Sequence, residues 1–136
     1  MSILAAFALL QSITTPTPPP DPAATAEMQR IFQITVSRLR DTLKDNQAAR
    51  FRRTYFVTTF GTDHKYHHHI CGEINAKNGF GAFGGWQYLY GSAEDLVVGG
   101  DPRKSLTGAD FCAEPRGHVW RDSDLSALMT RFVTAP

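Results

Sequence analysis

The spacing of apolar residues changes period near Arg50, and that change restricts the folds open to this chain. Upstream, Met28, Ile31, Phe32, Val36, Leu39 and Leu43 recur at steps of three or four and fall on one side of a 3.6-residue helix. Asp21 supplies an N-cap oxygen, Pro22 suits the first helical position, and Asp45-Asn46 ends the run, so an amphipathic helix of about 22 residues is expected. Downstream the period is two. Phe51–Phe60 is rich in aromatic and β-branched residues and closes at Gly61-Thr62-Asp63, which reads as a first strand and its turn. In Lys65–Asn75, Tyr66, His68, Ile70, Gly72 and Ile74 share one face, and His67, His69, Cys71, Glu73 and Asn75 share the other.

The pattern continues as a meander. Asn78-Gly79 is a turn dipeptide able to adopt positive φ, Phe83–Tyr90 is a third strand with Trp86, Tyr88 and Tyr90 on one side, and Leu96–Val98 is a short fourth. Gly99–Gly108 reads as a loop leading to Phe111-Cys112, and Asp122 or Ser123 caps a last helix presenting Leu125, Leu128, Met129 and Phe132. Helix, antiparallel meander and helix in that order imply an α+β fold, with the N-terminal helix packed on a small sheet and a short C-terminal helix.

The first 21 residues read differently. Ile3–Leu10 is an apolar run of signal-peptide character, followed by a proline-rich spacer with five prolines between Thr14 and Pro22. Eight apolar residues are too few for a span that needs about 20, so no transmembrane helix is expected there. The division is a signal-like segment and linker over 1–21 and one domain over 22–136, exported to the periplasm or secreted.

Cys71 and Cys112 are the two cysteines, 41 positions apart and in different elements. Paired, they would stabilise the domain by about 4 kcal/mol and point to an oxidising compartment. The competing reading is two unrelated buried thiols. Neither belongs to a C-x-x-C motif, so redox and zinc-knuckle motifs are not supported.

A formal charge of +1, from 14 basic and 13 acidic residues, gives no broad field for nucleic acid, which is not expected as a partner. Arg38, Arg40, Lys44, Arg50, Arg52 and Arg53 make the middle of the chain basic, as a solvated helix end or as an anion-binding patch. His67 and His69 point the same way along a strand, about 6.6 Å apart, but a metal needs a third ligand. Glu73 lies about 13 Å from His69 along the same strand, so the third ligand would have to come from another element. Gly79-Phe80-Gly81-Ala82-Phe83-Gly84 matches G-x-G-x-x-G, yet the residues that follow read as a strand where a dinucleotide fold needs a helix. No G-x-S-x-G and no H-E-x-x-H occurs, and Glu94-Asp95 and Asp122/Asp124 suit turns and caps better than acid–base catalysis. No cofactor is expected.

Cys71-Gly72-Glu73-Ile74-Asn75-Ala76-Lys77-Asn78, followed by Gly81-Ala82-Phe83-Gly84-Gly85-Trp86, resembles the signature of a family of small exported proteobacterial proteins of unknown function, C-G-E-[VI]-N-x-K-N and then G-G-[YF]-x-G-[FW]. The likeness covers about half the chain and departs at Ala82 and over Ser92–Gly108. It implies export and a shared hairpin, and no activity. Read as architecture, the motif pairs Glu73 with Lys77 and closes the turn with an Asn side chain, Asn75 and Asn78 being the candidates; the alternative is that Glu73, Asn75, Lys77 and Asn78 form a ligand site.

Two classes of function follow. The first is a non-enzymatic exported domain that binds a protein or envelope component through Trp86, Tyr88 and Tyr90. The second is a small-ligand binder, metal binder or enzyme using a concave pocket lined by His67, His69, Glu73 or Asn75 and the glycine-rich hairpin.

Overall fold

A computed structural model describes residues 22–99, 112, 117–122 and 124–136, with side chains from residue 25 onward. The apolar run, the proline-rich spacer, the Asp21 and Ser123 caps, Phe111 and most of the Gly99–Gly108 loop lie outside the described residues. The elements are α1 (Pro22–Thr42), a 3-10 turn (Asn46–Ala48), β1 (Arg50–Phe60), β2 (Tyr66–Lys77), β3 (Phe83–Gly91), β4 (Leu96–Val98), β5 (His118–Val119) and α2 (Ser126–Val133). The sheet is antiparallel with order β4-β3-β2-β1-β5, a meander whose free β1 edge is extended by β5. The expected α+β arrangement is present: a helix, an antiparallel sheet and a short C-terminal helix.

Both helices cover one face of the sheet. On α1, Ile31, Thr35 and Leu39 are fully buried at i, i+4 and i+8, flanked by partly buried Phe32, Val36 and Leu43. They meet Ile70 and Ile74 of β2, Phe51 of β1 and Leu89 of β3. Gly91 permits the approach, since a Cβ there would stand 2.5 Å from the Thr35 hydroxyl.

The basic residues at the helix end are tethers rather than a solvated fringe. Arg38 donates to the Ser92 and Ala93 carbonyls at 3.2 and 2.9 Å, holding the β3–β4 turn. Arg40 donates to the carbonyls of Phe132 and Ala135 at 2.9 and 2.7 Å, and Asn46 to that of Val133 at 2.8 Å. These carbonyls belong to the last turn of α2 and the chain just beyond it, where helical partners run out.

Two expectations about the C-terminal third are corrected. The buried stripe of α2 is Leu125, Met129 and Val133, while Leu128 and Phe132 are exposed. Phe132 still meets Phe32 edge-on at 5.9 Å. The helix starts later than Asp122, with the Asp124 carboxylate accepting the Ser126 N–H at 2.9 Å. β5 was not anticipated, because two residues are too few to show a period.

A bulge in β1 fixes α2. Pairing with β2 breaks between Arg52 and Tyr55, and Arg53 takes the left-handed conformation at φ 48°. Thr54, freed from the ladder, donates its N–H to the Ser126 hydroxyl at 3.3 Å and accepts the Leu125 N–H at 2.7 Å.

Both long hairpins close by one device, a three-residue loop whose last residue is left-handed: His64 (φ 60°) between β1 and β2, Gly81 (φ 81°) between β2 and β3. The second loop differs from the expected Asn78-Gly79 turn. Asn78 acts through its side chain, accepting the N–H groups of Phe80 and Ala82 at 2.9 and 3.3 Å, and the positive φ falls on Gly81.

Candidate functional site

The face turned away from the helices carries the sequence motif. Antiparallel register places Arg50, Asn75 and Trp86 in one row across β1, β2 and β3. Arg52, Glu73 and Tyr88 form the next row, and Tyr55, Cys71 and Tyr90 the third. Cys71 is joined to Cys112 in a disulfide, with Cα atoms 5.8 Å apart. The pairing left open by the sequence is thus settled, and it fastens the chain before β5 to the middle strand.

Toward the β2–β3 hairpin the face becomes aromatic and basic. The Arg52 guanidinium lies 4.1 Å from the centroid of the Trp86 ring, and that of Arg50 lies 4.5 Å from the Phe83 centroid. Arg52 also binds Glu73 through Nε at 3.0 Å, with Arg53 3.8 Å from the same carboxylate. The expected Glu73–Lys77 pair is therefore corrected. Their side chains share a strand face but stand two rows apart, and Lys77 pairs with Asp45 at 3.5 Å. The Asn75 amide oxygen, in the row between Arg50 and Trp86, is buried without a hydrogen bond.

Of the three expected aromatic anchors, Trp86 and Tyr88 are exposed, at 38% and 42%. Tyr90 is half-buried, its ring 5.3 Å from that of His69, and burial pushes its hydroxyl above the usual phenol range. Phe83 joins the exposed set, as does Phe80 at the hairpin tip, which is 97% exposed. In the sequence Arg50 and Arg52 belong to a candidate anion-binding patch and Phe83 to a strand, with nothing to join them to the aromatic face. Cross-strand register is the signal that would have found them, because it aligns each arginine with the aromatic ladder.

The three histidines separate. His67 is exposed, with Nε2 2.9 Å from the Asp63 carboxylate, and this partner draws Asp63 below the usual carboxylate range. His69 is buried on the open-face side, beside Tyr90. His68 is buried on the helix side, where Nδ1 lies 2.7 Å from the Thr58 hydroxyl, which also accepts the Trp120 indole N–H at 2.9 Å. An indole nitrogen only donates, so the Thr58 proton is free to go to Nδ1 and leave the ring proton on Nε2. Burial holds the His68 imidazole below its usual range, opposed by the charge of Glu27. Among the described residues no group of three or more His, Cys, Asp or Glu is placed to hold a metal.

Of the residues expected to line a pocket, His67 and His69 do so: a cavity of about 460 Å³ opens at the β1–β2 hairpin end, where they and His68 meet Glu27 of α1, Tyr66 and Glu94. Glu73 and Asn75 do not line it. Glu27 is held below the usual carboxylate range by its hydrogen-bonded partner Arg30, at 2.9 and 3.0 Å.

No family model matches the chain, and no curated protein or solved structure is significantly similar to it.

Proposed function

We propose that this is an exported, non-enzymatic binding domain that meets an envelope component through the open sheet face. The observation that carries the reading is the stacking of Arg52 on Trp86 and of Arg50 on Phe83, on a face that neither helix covers. Aromatic rings and arginines are the side chains that most often anchor interfaces. A guanidinium already seated on a ring surrenders less rotamer freedom when a partner arrives. The disulfide supports export, because such bonds persist in oxidising compartments, and Glu73 and Asn78 brace the strands that carry the face, through Arg52 and the hairpin loop. Among the described residues no helix is long and apolar enough to cross a membrane.

A benzophenone side chain at Tyr88, activated by light in intact cells, should yield a covalent adduct. The same probe at exposed Arg131 on α2 should yield none. Equal labelling from both positions, or none from Tyr88, contradicts the reading.

One observation favours a second reading, a small-ligand site. His68 is fixed through Nδ1 and lines the cavity together with the carboxylates of Glu27 and Glu94. The fixed imidazole offers Nε2–H to an acceptor, and the carboxylates suit a cationic group.

A further inference from the structure

The β2–β3 hairpin ends in a feature that a flat binding face does not require. Phe80 is the most exposed large apolar residue described, at 97%, and it sits between Gly79 and Gly81. A Cβ added at Gly79, Gly81, Gly84 or Gly85 would find no atom within 4 Å, so the space beside these glycines is open. Its loop is nonetheless held in shape by the Asn78 side chain, which accepts the N–H groups of Phe80 and Ala82.

Cations gather at the base of the tip. Lys44 donates to the Gly79 carbonyl at 2.9 Å, Lys77 lies 5.9 Å from the Phe83 ring centroid, and Arg50 covers that ring at 4.5 Å. With Arg52 and Arg53 one row further on, these cations outnumber the two carboxylates they touch, Asp45 and Glu73.

We propose that this tip is a peripheral anchor for an anionic phospholipid surface, with Phe80 entering the headgroup–acyl boundary and Lys44, Lys77 and Arg50 meeting lipid phosphates. The proposal rests on the envelope-binding reading and names the partner of the hairpin end. A specific protein interface needs about 800 Å² a side, which a tip one residue wide cannot supply. A bilayer accepts a single aromatic wedge ringed by cations, because lipids rearrange around it and the anionic surface attracts the collar. Phe83 and Trp86, one and two rows behind, are the residue types that settle at the membrane–water boundary, while long basic stems reach back toward phosphate.

The test uses the full chain with vesicles of equal parts phosphatidylglycerol and phosphatidylcholine, and with vesicles of phosphatidylcholine alone. The expected result is sedimentation with the first and not the second, with release at about 0.5 M salt, where the Debye length is only a few ångströms. Phe80→Ala should lower the partition coefficient about tenfold. Lys44→Gln with Arg50→Gln should lower it by a similar factor, both with unchanged melting temperature. Absence of binding to anionic vesicles, equal binding to both compositions, or full binding by Phe80→Ala would overturn the proposal. Light-dependent adducts at Tyr88 without vesicle binding would overturn the lipid assignment alone and leave the sheet-face reading standing. Loss of both would overturn both.

Discussion

At Gly72 the packing of β1 against β2 leaves no room for a methyl group. A Cβ there would stand 2.5 Å from the Thr54 hydroxyl and 2.9 Å from the Thr54 Cα, and Thr54 is fully buried at the bulge. Gly72→Ala is expected to destabilise the fold by about 1–3 kcal/mol in urea unfolding, whereas Gly79→Ala, which points into open space, should change it by less than about 0.5 kcal/mol. The bulge itself holds Arg53 at φ 48°, a conformation that an L residue adopts at a cost. Arg53→Gly should therefore stabilise by about 0.5–1 kcal/mol, since its long contact to Glu73 is made by a side chain that is 75% exposed. Alternation read along β2 identified the face that Gly72 shares with Ile70 and Ile74. What alternation could not give was the partner of each charge. Glu73 lies across from Arg52 rather than near Lys77, because the hairpin places β1 beside β2, and pairing follows register rather than sequence distance.

Between elements, one hydrogen-bonded chain joins three neighbouring strands: the indole N–H of Trp120, just past β5, donates to Thr58 of β1, which contacts His68 of β2. Thr58→Val removes the shared oxygen while keeping the shape. It should cost about 1–3 kcal/mol, by stranding the Trp120 N–H and the His68 nitrogen in a mostly buried site. The same burial gives a pH dependence. Below the ordinary imidazole value of 6.5 the unfolded chain binds a proton that folded His68 refuses. The His68 contribution to stability is therefore intact above that pH and is lost as the pH falls through the window beneath it, until the folded ring also titrates. Glu27 opposes this shift and nearby His67 reinforces it. Melting curves at about pH 7.5 and pH 5 should show a smaller pH effect in His68→Gln than in the unsubstituted protein; an identical effect would contradict the assignment. The sequence disclosed the long periodic elements, α1 and β1 to β3, and concealed the short ones. β5 carries no period in two residues, and α2 carries apolar residues at both Leu128/Phe132 and Leu125/Met129/Val133, so only the position of Thr54 and β1 selects the buried set.

For the molecule as a whole, the division of labour between the two sheet faces is the governing feature. One face holds the helices and the apolar core; the other holds the disulfide, the arginine–aromatic rows and the exposed hairpin. Alternation put Trp86, Tyr88 and Tyr90 on one side of β3 without saying which is covered, because they share a face and differ in their neighbours, with Tyr90 lying against the buried His69. Cys71→Ala with Cys112→Ala should lower stability by about 4 kcal/mol, the loop-closure value for 41 residues, with native circular dichroism retained at low temperature. The export reading stands or falls on where that bond is made. Cells are to be opened in the presence of a thiol-blocking alkylator, their fractions separated, and the protein analysed by mass spectrometry without reduction. An exported, disulfide-bonded protein is recovered outside the cytosol with no alkyl group on either cysteine and with a linked peptide pair containing Cys71 and Cys112. Recovery from the cytosol with both thiols alkylated would contradict the export reading.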